Sequence, residues 1–310
     1  MREGAKEVLL LDAGDVFFNK YIGPVQENQV KMVSAKANLF VESLNLMGYD
    51  ALGIGDDDLT LGKDFLIELS KKAKFPFLSS NLLDAESKKP VFQPYLIKEV
   101  NGIRFGLFSL LSPEVFYGPT DSRLKGLTLQ SPAETAQRII RELKPNTDLV
   151  ILLSHLSYPK DTELAQTVSG IHFIAGGHSG VSLAYPPVIK DTVILHTPMK
   201  GMYAGRCDLT FREGASGFYN IAMKRSLENN LVNLKRRMDA KESPKMEKEQ
   251  YQKMVADAER SIKQFDGKNE FTNVLLPLLT QTKEDPQISK WVEEFKTSFP
   301  EPEKPSPPKP

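Results

Sequence analysis

The 310-residue chain is long enough to bury a full core, and its 40% hydrophobic and 26% charged composition is that of a folded globular protein. Forty basic residues balance forty acidic ones, so the basic surplus used to bind phosphate backbones is missing, which argues against a nucleic-acid partner. A single cysteine, Cys207, excludes an internal disulfide and a cysteine-based zinc site, and no run approaches the roughly 20 apolar residues that span a bilayer.

In chain order, the charged start runs into Val8–Leu11, which is too short and ends too abruptly at Asp12 to be a signal-peptide core. It predicts a buried strand over Glu7–Leu11. Further strands are predicted at Ala51–Ile54, Phe77–Ser80, Tyr95–Val100, Arg104–Leu110, Leu149–Leu153, Phe173–Ala175, Thr192–His196, Arg206–Thr210 and Tyr219–Met223. Val30, Val33, Ala37, Phe40, Leu44 and Met47 recur at helical spacing and predict a helix over Gln26–Met47. Ser131 caps a second helix with Pro132 at its first position, and Asn101-Gly102 marks a tight hairpin, which makes the sheet mixed. After Ser226 the pattern becomes two charged amphipathic helices that pair with each other or lie along the main domain, then a third helix started by Asp285-Pro286. Six of the eleven residues from Pro300 to Pro310 are proline, the composition of an extended linker to a further covalently linked module or of a plain tail. The expected class is therefore α/β, with a layered domain over 1–224, a helical extension over 225–299 and a linker or tail over 300–310.

Four short features end predicted strands, where α/β folds place ligands. They are Leu11-Asp12-Ala13-Gly14-Asp15, Gly53-Ile54-Gly55-Asp56-Asp57-Asp58, Leu153-Ser154-His155 and Ala175-Gly176-Gly177-His178-Ser179-Gly180. Carboxylates with imidazoles suit a divalent ion such as Mn, Fe or Zn in a hydrolytic centre. Singly, each reads as a turn, an acidic helix start or a satisfied interior histidine; only their order and spacing together point to a site. His172 and His196 read as structural, Cys207 as a buried, inert thiol in an apolar strand, and Tyr158–Asp161 as a stretch positioned to line a pocket.

Those features, with Leu78-Ser79-Ser80-Asn81 and Ile151–Leu156, resemble successive blocks of the bacterial 5′-nucleotidase and UDP-sugar hydrolase branch of the calcineurin-like metallophosphoesterases, over about residues 7–212. The resemblance implies mixed sheets sandwiched by helices and an activity on a small phosphorylated or anionic substrate. It implies that Asp15 is the metal-bridging aspartate, that Asp56 stands where the family has a metal-binding asparagine, and that His155 and His178 complete the shell of one ion per chain. Asp57 stands at the family's catalytic histidine, Gly180 replaces the last ligand of the Gly-His-x-His/Gln motif, and the opening Asp-x-His strand is not in this sequence. These departures leave three readings: an altered one-metal phosphoesterase, a silent binding or scaffold domain, and a hydrolase of a non-phosphate ester such as a sulfur oxyanion. A fragment of a diverged family member is expected, and the family suggests a periplasmic or extracellular setting.

Overall fold

In a computed structural model, which describes residues 7–198, 201–239 and 245–300, the first apolar run enters the sheet later than its composition predicts. Strand β1 spans Leu11–Asp12, not Glu7–Leu11. The reason is a competing partner: the Leu10 amide donates to Asp50 Oδ2 at 2.7 Å, so this backbone group is satisfied outside a ladder. Helix α1, Glu27–Met47, ends at Gly48, whose left-handed φ of 71° closes the last turn. β2, Ala51–Gly53, then pairs in parallel with β1, and after α2, Lys63–Ser70, β3 at Phe77–Leu78 pairs in parallel with β2.

β4, Leu82–Asp84, is followed by β5, Tyr95–Val100, and β6, Ile103–Leu111, which form an antiparallel hairpin. Its turn is Asn101 and Gly102 with φ of 53° and 76°, both in the left-handed region that a two-residue hairpin loop requires. β7, Leu127–Leu129, pairs with β4, and α3, Pro132–Leu143, starts as expected with Ser131 accepting from the Glu134 amide. β8, Leu149–His155, lies parallel to β6 and is buried at all seven positions, which is why it reads as an unbroken apolar run.

Beyond β8 come α4, Tyr158–Thr167; β9, Phe173–Gly176; β10, Val188–Ile189; and β11, Thr192–His196. β12, Tyr203–Thr210, and β13, Phe218–Asn220, precede the two amphipathic helices, α5 at Ile221–Met238 and α6 at Lys245–Lys263. These helices pair through Leu234, Val255 and Ala258. The strand expected over Tyr219–Met223 stops at Asn220 because the Asn220 side chain accepts from the Ala222 amide and starts α5. β14, Asn269–Pro277, was not predicted; it pairs antiparallel with β12 and parallel with β13, so the stretch 225–299 holds a central strand besides its helices. α7, Pro286–Ser298, begins at Asp285, which accepts from the Gln287 and Ile288 amides. The proline-rich run after Pro300 lies outside the described residues.

By packing, the chain forms two compact units. One holds the residues up to Ser157, Ala175–Ser179 and those from Leu279; the other holds Tyr158–Ile174 and Gly180–Leu278. The first has an aromatic core in which Phe77 stacks on Phe17 at 5.5 Å and on Phe75 at 5.9 Å. Burying each such ring is worth about 1.5–3 kcal/mol. Among the described residues no helix is long and apolar enough to cross a membrane.

Candidate metal centre

Asp15 lies three residues past β1, Asp56 three past β2, His155 is the last residue of β8, and His178 lies two past β9. Each carries one ligand atom, and these four atoms lie within 4.8 Å of one another in the first unit. Two glycines let the segments approach. A Cβ on Gly14, whose φ is 103°, would fall 2.3 Å from the Gly55 amide nitrogen; one on Gly55 would fall 2.3 Å from Asp15 Oδ1 and 2.8 Å from His155 Cε1.

Asp58 fixes the same loops from behind. Fully buried, it accepts from the amides of Asp15, Val16, Phe17 and Gly55 at 2.9–3.2 Å. Asp15 is held in turn, with φ of 62°, because its Oδ1 accepts from the Asp57 amide at 2.8 Å; its Oδ2 faces His155 Nε2 at 3.1 Å. The Gly177 amide donates to the Ser154 carbonyl, which sets the approach of His178.

The decisive ring is His155, which is 1% exposed. Its Nδ1 lies 2.8 Å from the Ala13 carbonyl oxygen; a carbonyl only accepts, so Nδ1 carries a proton and Nε2 is the nitrogen directed inward. Around Nε2 stand Asp15 Oδ2 at 3.1 Å, Asp56 Oδ1 at 3.2 Å and His178 Nδ1 at 3.2 Å, while His178 Nδ1 and Asp56 Oδ1 are 3.5 Å apart. One proton on Nε2 satisfies only one of three acceptors; a cation at their centre satisfies all. Ligand atoms bonded at about 2.1 Å in a tetrahedral shell lie about 3.4 Å apart, close to these separations. The donor set therefore fits a divalent ion.

Burial lowers the His155 pKa, yet the hydrogen bonds of Asp15 and Asp56 and the charge of Asp15 outweigh it and hold the ring well above the ordinary histidine value: the carboxylates favour positive charge at Nε2, as a proton or as a cation that displaces it. Burial, and then the charge of His155, push His178 down, so its lone pair is available. Asp56 stays below the usual carboxylate range because His155 and Arg123 outweigh its burial. Burial, joined by Asp15, pushes Asp57 up to about 6.

Asp57 is half turned away from the cluster: its Oδ1 accepts from the Tyr21 amide at 2.8 Å and from Arg123 Nη1 at 3.3 Å. Arg123 was missed in the sequence. It is 2% exposed, pairs with Asp121 and Asp56, and lies over the rings of Tyr21, Phe116 and Tyr117. No sequence period marks it, because its neighbours come from loops about a hundred residues apart. The other expectations land elsewhere. His196 and Asp161 form a buried pair at 2.7 Å in the second unit, with Tyr158 edge-on to the ring, so Asp161 is core and lines no open pocket. Cys207 is half-buried, not buried, on β12, and burial pushes its thiol up to about 12.

No family model matches the chain. Among curated proteins it is 26% identical over 265 residues to a 5′-nucleotidase of Vibrio cholerae, covering 75% of this chain and 45% of that protein. It is 25% identical over 256 residues to the trifunctional nucleotide phosphoesterase YfkN of Bacillus subtilis, covering 69% of this chain and 16% of that one. Over most of its length the chain is thus similar to 5′-nucleotidases and related nucleotide phosphoesterases. The fold of this 5′-nucleotidase-like chain matches the 5′-nucleotidase precursor of Thermus thermophilus with a TM-score of 0.64 at 23% identity, over 95% of this chain and 50% of that one. It spans less than half the length of the two curated relatives.

Proposed function

We propose that the protein binds one divalent cation, Mn, Fe or Zn, through Asp15, Asp56, His155 and His178, and hydrolyses a small phosphorylated substrate there. The reading rests on one observation: a buried imidazole whose orientation is fixed by the Ala13 carbonyl aims its Nε2 at two carboxylates and a second imidazole. A divalent ion at such a site supplies Lewis-acid polarisation of a phosphoryl oxygen and acidifies water. The chain's own residues supply placement. Asp58 fixes the Asp15 loop, His155 cannot rotate without losing the Ala13 bond, and His178, 35% exposed, is the open side of the cluster. Lys20 is exposed and near enough to lower the His178 pKa, so it adds positive potential where an anionic substrate would approach.

A second reading, an ion-holding domain without turnover, is favoured by Asp57. Its carboxylate is engaged by Tyr21 and Arg123, and a negative group beside a phosphoryl group gaining charge opposes the reaction. Elemental analysis of protein purified without chelator tests both readings. About one Mn, Fe or Zn per chain is expected, falling in His178→Ala. Turnover of p-nitrophenyl phosphate, nucleoside monophosphates and a thiosulfate ester with Mn²⁺ added, abolished by His155→Ala, supports the hydrolase and reports its ester class. Bound metal with no turnover leaves the ion-holding domain, and no metal removes both.

A further inference from the structure

We infer that Arg123 is a positioning residue that divides the two oxygens of Asp56 between separate tasks and so makes a carboxylate obligatory at position 56. The inference rests on the cation reading above.

Arg123 is held independently of Asp56. Its Nε and Nη2 form a fork on Asp121 at 3.1 and 2.8 Å, its Nη2 also reaches the Val115 carbonyl at 3.5 Å, and its guanidinium carbon stands 4.3 Å from the Tyr21 ring centroid and 5.0 Å from that of Phe116. What remains is Nη1, aimed at Asp56 Oδ2 at 2.5 Å and Asp57 Oδ1 at 3.3 Å. The other Asp56 oxygen, Oδ1, faces His155 Nε2 at 3.2 Å and His178 Nδ1 at 3.5 Å. A guanidinium carries only donors, so the atom facing it must accept. A cation likewise needs an electron pair from the atom facing it. Only a carboxylate meets both demands. An asparagine at this position must turn its NH₂ either toward the cation or against Nη1, and both are buried contacts of like polarity. Arg123 also confines Asp56 to one ligand oxygen, because the second is occupied.

The test compares Mn²⁺ affinity, by competition with a chelating dye, for wild type, Asp56→Asn, Arg123→Gln and the double variant, each checked for fold by far-UV circular dichroism. With Arg123 present, Asp56→Asn is expected to weaken Mn²⁺ binding at least about tenfold. In the Arg123→Gln background, where the introduced glutamine carbonyl can accept from the introduced asparagine amide, the same change is expected to cost less than about threefold. If Arg123→Gln unfolds by leaving Asp121 unpaired, the comparison is made in the Asp121→Asn/Arg123→Gln background. Equal costs with and without Arg123 overturn the inference while leaving the cation reading in place, since wild type still binds and His178→Ala still fails to. A wild type that binds no Mn²⁺, or a His178→Ala variant that binds as well as wild type, overturns both.

Discussion

Replacing Gly55 by alanine adds a single methyl at the narrowest point of the candidate centre. Gly55 does not have the left-handed φ that disfavours a side chain, so the effect is steric. The new Cβ would stand 2.3 Å from Asp15 Oδ1, 2.5 Å from the Asp15 amide nitrogen and 2.8 Å from His155 Cε1, where contact normally begins near about 3.4 Å. Because one of these atoms is backbone, the conflict is not relieved by rotating a side chain; the Asp15 loop and the His155 ring must separate by about 1 Å. Overpacking of this kind costs about 1–3 kcal/mol of stability. Ligand atoms at a metal centre tolerate about 0.2 Å, so a displacement near 1 Å is expected to weaken Mn²⁺ binding by more than about tenfold. Both effects are measurable on one sample, the affinity by dye competition and the stability by denaturant titration. The probe is the fluorescence of Trp291, the single tryptophan, which sits on α7 in the same compact unit. Gly205→Ala is the control: among the described residues its Cβ meets the Thr197 Cγ2 methyl, in the other unit, and the change is expected to leave affinity unchanged. A Gly55→Ala protein that binds Mn²⁺ within about threefold of wild type would refute the assigned geometry.

Asp58→Ala removes the acceptor of four amides, and Trp291 unfolding is expected to register a loss of about 3 kcal/mol or more; under about 1 kcal/mol would show that water replaces the carboxylate freely. Arg123 holds the Asp121 carboxyl down to about 2, below its unfolded value of 3.8. The stability this pair contributes is therefore present above pH 3.8 and lost as pH falls toward 2; the acid loss between about pH 5 and about 2.5 should be smaller in Asp121→Asn, and an unchanged loss would contradict the pairing. Added Mn²⁺ at about a hundred times its Kd is expected to stabilise the protein by about 2.7 kcal/mol, an effect that chelator reverses and His178→Ala abolishes. Identical unfolding curves with Mn²⁺ and with chelator would count against a bound ion.

Features set by local chemistry were legible in the sequence. Asn101-Gly102 encodes its own turn, and Ser131-Pro132 and Asp285-Pro286 encode their own helix starts. Asp15, Asp56, His155 and His178 were legible for a related reason: each directly follows or ends an apolar strand, and parallel strands bring such ends to one edge. What was hidden depends on distant partners. β14 takes its identity from pairing with β12, some 60 residues earlier, and its own pattern has only Asn269 and Phe271 buried. The late start of β1 depends on the Asp50 side chain, and the value of Arg123 on a cage of aromatics that no spacing rule connects. Asp57 was visible as a residue, but the donors that occupy its carboxylate were not.

The division of the chain also bears on how the protein can be dissected. His178 reaches the candidate centre within a five-residue visit, Ala175–Ser179, between two long excursions into the other unit. Consequently no single cut yields either unit whole, and a product ending at Ser157 would keep three of the four ligands while losing the least buried one. An ion captured by all four would tie together positions 99 and 23 residues apart, from Asp56 to His155 and from His155 to His178, closing loops that an unfolded chain keeps open at an entropic cost. Resistance to proteolysis between these segments should then rise when the ion is added.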